Sequence, residues 1–367
     1  MDKKLLINGA NGFLGTYVVG KAIEAGWNVR ASDLAPGPSP ELAKLEMEYM
    51  QADLSDLDEA RKITFGTTHV INVAGLFRFD ATKEALYKAN ATCTRNMCQA
   101  ALEADLERFV QVATIGVYGR FPMGTPITET HAKNPKNDYE KSKKKGEDIA
   151  LRYFERYDLP VVSLRPSVIY GPRSRYPIAT VIAMMAMMRA LGMKESPDIK
   201  IPVKIQQVHV IDVARALVHL LENGRLGEAY HIADETPVYW SEMFSFFRKE
   251  FGISEAKHYA IPQPLARAIG YGANLIPQNL LDKGNEKLGE GWEKMKQKYP
   301  VPDTIKPQLD RDFFTYISSD HMFDTSKLMG TGFHLEYPDA WKGLHETIDW
   351  YIAQGWLPNV RSKDQAA

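Results

Sequence analysis

The strongest constraint on this chain is how it opens. An apolar run, Leu5-Leu6-Ile7, passes through Gly9, Gly12 and Gly15 into a helical pattern that lasts to about Ala25. The alternation then continues. Strands are expected at Asn28 to Ser32, Met47 to Gln51, His69 to Val73, Phe109 to Ala113 and Val161 to Leu164. Helices are expected between them near Leu57 to Ile63, Lys83 to Ala104 and Tyr139 to Tyr157. Strands that are apolar on both faces and separated by helices predict an α/β fold, a doubly wound parallel sheet covered on both sides.

The second half reads differently. Pro166, Pro172, Pro177, Pro197 and Pro202 punctuate it, and Ile178 to Leu191 is a strongly apolar helix carrying Met184, Met185, Met187 and Met188. Val208 to Leu221 returns to strand then helix, and Ala229 to Ile232 is a further strand. From Tyr239 onward the pattern is helical and more polar, closing with an amphipathic helix at Asp339 to Ala353. The expected division is a nucleotide-binding domain, 1–165 plus 204–233, and a smaller, mostly helical substrate lobe, 166–203 plus 234–360.

Charge excludes some partners. Lys plus Arg number 45 and Asp plus Glu 46, a net of −1, so no long-range field gathers polyanions and nucleic acid is not expected as a partner. No stretch reaches the roughly 18 apolar residues of a membrane span, and the N-terminus carries no signal-peptide pattern, so a cytoplasmic location is expected. Pro262 to Leu281, with Leu265, Ile269, Leu275 and Ile276 interrupted by Gly270, Gly272 and Pro277, reads as packing over a substrate cleft, with a membrane-surface role as the alternative. The two cysteines, Cys93 and Cys98, lie on different helix faces and lack metal-ligand spacing, so buried thiols and no metal are expected.

The chemistry begins at the glycine turn. Glycines between a strand and a helix let the backbone approach a pyrophosphate, and the helix N-terminus offers it free N–H groups and the positive end of a dipole. Asp33 ends the second strand, 18 residues after Gly15. A carboxylate there accepts hydrogen bonds from the adenine ribose hydroxyls and repels a 2′-phosphate, so NAD is expected rather than NADP. Arg30, on the same strand, argues the other way. Asp53 and Leu54 suit the adenine amino group, and Val73, Ala74 and Gly75 are small where a cofactor passes close to the backbone. Tyr139 and Lys143 stand four apart on one helical face. A tyrosine hydroxyl, with an ordinary pKa of about 10, becomes a usable base when a nearby ammonium favours its phenolate. Thr114 follows the fifth strand, at the sheet edge where such folds bind ligands.

Taken together these residues resemble the extended short-chain dehydrogenases/reductases, the NAD-dependent epimerase/dehydratase superfamily. The likeness is carried by Gly9, Gly12 and Gly15; Asp33; Asp53-Leu54; the run Asn90 to Asn96; Thr114 with Val117-Tyr118-Gly119; Tyr139 with Lys143; Leu164-Arg165-Pro166 with Tyr170-Gly171-Pro172; and His209 to Ala214. Phe323 to Lys327 and Trp350 are similar to the 3β-hydroxysteroid dehydrogenase-like branch. The resemblance implies a Rossmann-type fold and a homodimer. It implies Thr114, Tyr139 and Lys143 as the catalytic set, with Tyr139 exchanging the substrate proton. It implies cofactor contacts at Gly9, Asn11, Gly12, Phe13, Leu14, Gly15, Asp33, Asp53, Leu54, Val73, Ala74, Gly75, Asn90, Tyr139, Lys143, Pro166 and Val168. For Asn90, helix capping is the alternative role.

Within that family, dehydratases carry an Asp-Glu pair after the Thr, where this chain has Ile115 and Gly116. Nucleotide-sugar epimerases place an Arg four residues before the His of His209-Val210, where this chain has Ile205. The methionine-rich apolar helix suits an irregular hydrophobic ligand, with an ordinary buried helix as the alternative reading; taken with the missing diphosphate anchor, it points to a bulky hydrophobic secondary alcohol or ketone, steroid- or terpenoid-like. A nucleotide-sugar epimerase with tightly bound NAD is the alternative.

Overall fold

The computed structural model describes residues 3–77, 81–119, 124–272, 275–311 and 319–361. The strands are β1 (Lys4–Asn8), β2 (Asn28–Asp33), β3 (Glu48–Gln51), β4 (His69–Asn72), β5 (Arg108–Val112), β6 (Val161–Pro166), β7 (Val168–Tyr170), β8 (Glu195–Lys200), β9 (Lys204–Ile205), β10 (Gln207–His209), β11 (Ala229–Ile232), β12 (Val238–Tyr239) and β13 (Ser254–Ala260). The helices are α1 (Phe13–Glu24), α2 (Leu57–Thr64), α3 (Lys83–Tyr87), α4 (Cys93–Glu103), α5 (Asp138–Tyr157), α6 (Ile178–Ala190), α7 (Val210–Asn223), α8 (Trp240–Glu250), α9 (Gln263–Gly272), α10 (Gln278–Lys298), α11 (Ser326–Met329) and α12 (Ala340–Ala353).

Seven strands form one parallel sheet in the order β11-β6-β5-β4-β1-β2-β3. Its Rossmann-type doubly wound architecture follows from the alternation of apolar strands and helices. Side chains alternate across each strand. Leu5 and Ile7 face the cluster under α1 and α7, with Val18, Val19, Val213 and Leu217. Leu6, Val70 and Phe109 face the cluster under α2, α4 and α5, with Ala60, Met97 and Ala150. The chain winds from β1 to β3 on one side and then returns to β4 on the other, so a crevice opens beyond the ends of β1 and β4. Buried amides brace that point: Asn8 Nδ2 donates to Asn72 Oδ1 (2.7 Å) and Asn72 Nδ2 to Gln111 Oε1 (2.7 Å).

A separate apolar cluster joins α6, α8, α10 and α12 through Ile182, Met185, Trp240, Phe247, Trp292, Leu344 and Ile348. The methionine-rich helix is the centre of this cluster. Met185 and Met187 are buried, and Met184 and Met188 are half-buried. Late in the chain, Leu328 and Phe333 return to pack on the main sheet.

Two expectations are corrected. The helix expected over Lys83 to Ala104 is interrupted by a π-turn at Lys88–Thr92, which raises the Asn90 carbonyl onto α5. A Cβ at Gly146 would lie only 2.1 Å from that oxygen. The region after Tyr239 is not wholly helical, because β13 pairs in parallel with β8. Neither strand alternates apolar residues; Asp198 instead ties the ribbon to Arg248 (2.8 Å) and His258 (2.8 Å). In the stretch Pro262 to Leu281, Leu265 and Leu275 are exposed, Ile276 is half-buried and Leu281 is buried, whereas the Ile269 side chain lies outside the described residues. Among the described residues no helix is long and apolar enough to cross a membrane, and Cys93 and Cys98 are free thiols that burial pushes up, Cys93 to about 11.

Candidate active site

The glycine turn joins β1 to α1. Gly9 adopts φ +66°, and a Cβ there would lie 2.8 Å from the Ala74 backbone, so the turn closes directly on the loop after β4. Gly12 is the N-cap of α1 and brings no capping side chain, and the first turn, Phe13 to Gly15, holds no acidic residue. That end of α1 therefore suits an anionic group. Leu14 is buried beneath it, and Phe13 packs edge-on against Tyr17 at 6.0 Å.

Asn11 organises the rim. Its backbone N–H donates to Asp33 Oδ2 (3.0 Å), its Nδ2 to Gly37 O (3.0 Å) and Tyr49 Oη (3.1 Å), and its Oδ1 accepts from Ser39 N (2.7 Å). Asp33 is thus held beside the turn, half-buried, where a ribose would meet it. Arg30 turns away: its Nε pairs with Glu48 (2.9 Å) and its Nη1 donates to Ile63 O and Phe65 O, both at 2.7 Å. It is a buried structural cation, not a receptor for a 2′-phosphate. A cleft of about 510 Å³ opens beside Leu34, lined also by Met50, Gln51, Asp53, Glu59 and Lys62. Asp53 Oδ1 accepts from Ser55 N (2.9 Å), and buried Leu54 gives its carbonyl to Asn96 Nδ2 (2.9 Å).

At the other end, Ala74 N donates to Asn8 Oδ1 (2.8 Å), and a Cβ on Gly75 would lie 2.7 Å from Asn90 Oδ1 and 3.6 Å from Lys143 Nζ. Asn90 is buried and does not cap a helix. Its Oδ1 accepts from Leu76 N (2.8 Å), and its Nδ2 donates to Ser142 Oγ (2.9 Å), which in turn donates to Tyr139 O (2.7 Å). Asn90 therefore fixes the loop after β4 against α5. An Asn137–Glu140 capping box starts α5 just before Tyr139.

Thr114, Tyr139 and Lys143 come together at the carboxyl end of β5. Burial pushes the Tyr139 phenol up, the hydrogen bond with Thr114 pulls it down, and the Glu140 charge raises it. The lowering expected from Lys143 is not among these influences. Lys143 is buried, its Nζ donates to Val112 O (2.7 Å), and burial pushes its ammonium down to about 8, opposed by the Glu147 carboxylate one turn on. Glu147 is itself held by Arg165 Nε (2.7 Å) and Lys133 Nζ (2.7 Å), and Arg165 Nη1 donates to Tyr118 Oη (2.5 Å). Ile115 is buried in a small apolar cluster, and Gly116 faces Thr114 and Glu140. Pro166 ends β6 opposite Ile232, and Val168 on β7 pairs with Gln207.

Sequence reasoning missed an aromatic wall. Phe77 lies 4.9 Å from Tyr139, edge-on, and 5.7 Å from Tyr176, ring centroid to centroid. Phe77 stands two residues beyond Gly75, but Tyr176 belongs to a distant loop, and no spacing could pair them. The uncapped helix end, the cradle at Gly9, Asp33 and Lys143 together fit a dinucleotide laid along the crevice.

The chain is similar to the dTDP-glucose 4,6-dehydratase of Streptomyces niveus, 25% identical over 390 residues, covering 99% of this chain and 97% of that protein. It is also similar to the decarboxylating sterol-4-alpha-carboxylate 3-dehydrogenase of Candida albicans, 22% identical over 295 residues, covering 77% and 84%. Two other curated relatives are spanned over only 42% and 57% of their length. The fold matches that of DesIV, a dTDP-glucose 4,6-dehydratase from Streptomyces venezuelae crystallised with NAD and TYD, with TM-score 0.68, 20% identity, and 98% and 100% of the two chains covered. Residues 5–233, which hold both the glycine turn and the Tyr139–Lys143 helix, match the family profile. The chain belongs to the NAD-dependent epimerase/dehydratase family and is an NAD-dependent enzyme acting on CH–OH groups.

Proposed function

We propose that this protein interconverts a secondary alcohol and a ketone on a bulky hydrophobic ring substrate, steroid- or terpenoid-like, with Tyr139 as the general acid/base. The observation that carries this reading is the Thr114–Tyr139–Lys143 group beside Phe77 and Tyr176, with Ile115 and Gly116 supplying no carboxylate after Thr114. An apolar, ring-shaped substrate suits a wall of aromatic faces and edges.

NAD, when bound, accepts or returns the hydride. The remaining work belongs to the chain. The Thr114 and Tyr139 hydroxyls hold the substrate oxygen. Tyr139 takes the hydroxyl proton during oxidation and gives it back during reduction. Lys143, on the same face of α5, is assigned the positive charge that the phenolate needs, although Tyr139 here responds to burial, Thr114 and Glu140 rather than to Lys143. Asn90 and Ser142 hold the spacing between these groups and the loop after β4. The cofactor contacts are those expected from the sequence, with Asp33 on the ribose and Asp53 and Leu54 at the adenine end. The two-lobe division, 1–165 plus 204–233 against 166–203 plus 234–360, is part of the proposal; the separate apolar cluster around α6 and α12 supports it, whereas Leu328 and Phe333, within 234–360, pack with the main sheet.

The test is NADH formation from NAD with a panel of ring alcohols, with Tyr139→Phe run alongside. Turnover that falls by about 10³-fold or more in the variant, with NAD binding retained, supports the reading. If no alcohol turns over and NAD stays bound through purification, the result favours the alternative, epimerisation of a nucleotide sugar, and nucleotide sugars become the substrates to test.

A further inference from the structure

The loop after β7, residues 171–177, runs along the crevice. At one end Tyr17 Oη, on the second turn of α1, donates to Pro172 O (2.9 Å). At the other, Tyr176 meets Phe77 beside Tyr139. Arg173 lies between them in an unusual state. Its φ is +73°, a left-handed conformation that a non-glycine residue keeps only where its surroundings enforce it. Its Nη2 lies 3.7 Å from Glu41 Oε2, yet its Nη1 is buried without a hydrogen-bond partner among the described residues. A guanidinium is a fork of five donors that suits phosphate as well as carboxylate, so this one is chemically incomplete.

Its surroundings indicate what would complete it. No cation occurs from Gly9 to Thr16, while Asp33 is tied to the turn through Asn11, and Glu41 follows Ser39, which is tied to Asn11 as well. A pyrophosphate at the end of α1 brings two negative charges into a neighbourhood that already holds two carboxylates. The helix end contributes only about half a positive charge.

We propose that Arg173 is a cofactor-binding residue, reaching from the far side of the crevice to the pyrophosphate of the dinucleotide, which takes the guanidinium in competition with Glu41. This rests on the glycine turn receiving that pyrophosphate.

The experiment is calorimetric titration of the full chain with NAD, ADP-ribose and adenosine, at low and high salt, for the unsubstituted protein, Arg173→Ala, Arg173→Lys and Glu41→Gln. Arg173→Ala is expected to raise the Kd for NAD and ADP-ribose by about 10- to 100-fold, with a weaker salt dependence and adenosine binding unchanged. Arg173→Lys, which keeps the charge and loses the fork, falls between. Glu41→Gln binds NAD at least as tightly as the unsubstituted protein, because it removes a negative charge. An unchanged Kd in Arg173→Ala, an equal loss for adenosine, or an equal loss in Glu41→Gln overturns the proposal and makes the pair a structural tie. An unsubstituted protein that binds neither NAD nor ADP-ribose overturns instead the placement of the pyrophosphate at the glycine turn, and this proposal with it.

Discussion

Lys143 shows what the candidate site costs the fold. Burial holds its ammonium at about 8 against an ordinary value of 10.5, so between those values the unfolded chain binds a proton that the folded chain has released. Stability therefore rises with pH across that window. Relative to Lys143→Met, the unfolding free energy of the unsubstituted protein is expected to climb by on the order of 3 kcal/mol from pH 8 to 10.5 and to stay flat below pH 8. Urea unfolding of both proteins over that range checks it, and a flat difference throughout would mean that Lys143 is not desolvated. Thr114 acts in the opposite sense on Tyr139, as its hydrogen bond draws down a phenol that burial raises.

At the scale of the element, the turn into α1 and the helix itself tolerate change differently. A Cβ on Gly15 would lie 2.1 Å from Gly9 O, a backbone atom that can yield only by opening the turn, whereas a Cβ on Gly20 would meet nothing within 4 Å. Gly15→Ala is expected to destabilise by about 1–3 kcal/mol and to abolish tight NAD binding, whereas Gly20→Ala gains about 0.5–1 kcal/mol from helix propensity with NAD binding intact. Thermal unfolding with and without NAD separates the two. Both glycines are visible in the sequence and only the neighbours distinguish them. The same holds for α6: its four methionines read equally well as a ligand surface or a core, and packing against Trp292 and Leu344 makes the helix a core element.

At the scale of the whole molecule, the family resemblance carries the expectation of a homodimer, and we propose that it pairs through the helical stretches Lys83 to Ala104 and Tyr139 to Tyr157, whose long parts are α4 and α5. The exposed charged residues of these helices are Arg95, Lys141, Lys145, Arg152 and Arg156 against Glu103 and Glu155, an excess of cations. Copies paired across a two-fold axis there would bring like charges together, and salt screens such repulsion. The proposed dimer is therefore expected to tighten as ionic strength rises from about 0.05 M to 0.5 M, read by sedimentation velocity. A monomer at all salt concentrations, or a dimer that weakens with salt, removes α4 and α5 as the interface.

What could be read along the chain is what short-range physics controls. Strands apolar on both faces specify a sheet covered on both sides. Glycines between Asn8 and Phe13 specify a tight turn into a helix end. A separation of four places Tyr139 and Lys143 on one face. Each of these depends on neighbours within a turn or a pleat. Tertiary structure decided the rest, because the partners are far apart in sequence. Arg30 could have met a 2′-phosphate until the carbonyls of Ile63 and Phe65 took its donors. Asn90 ceased to be a capping candidate once Leu76 and Ser142 closed on it. The polar β8 and β13 are held by Asp198, through its ion pair with Arg248 and its hydrogen bond with His258, rather than by an apolar pattern. Phe77 and Tyr176, 99 residues apart, form the wall beside Tyr139 only because the sheet's reversal brings both loops to the same edge.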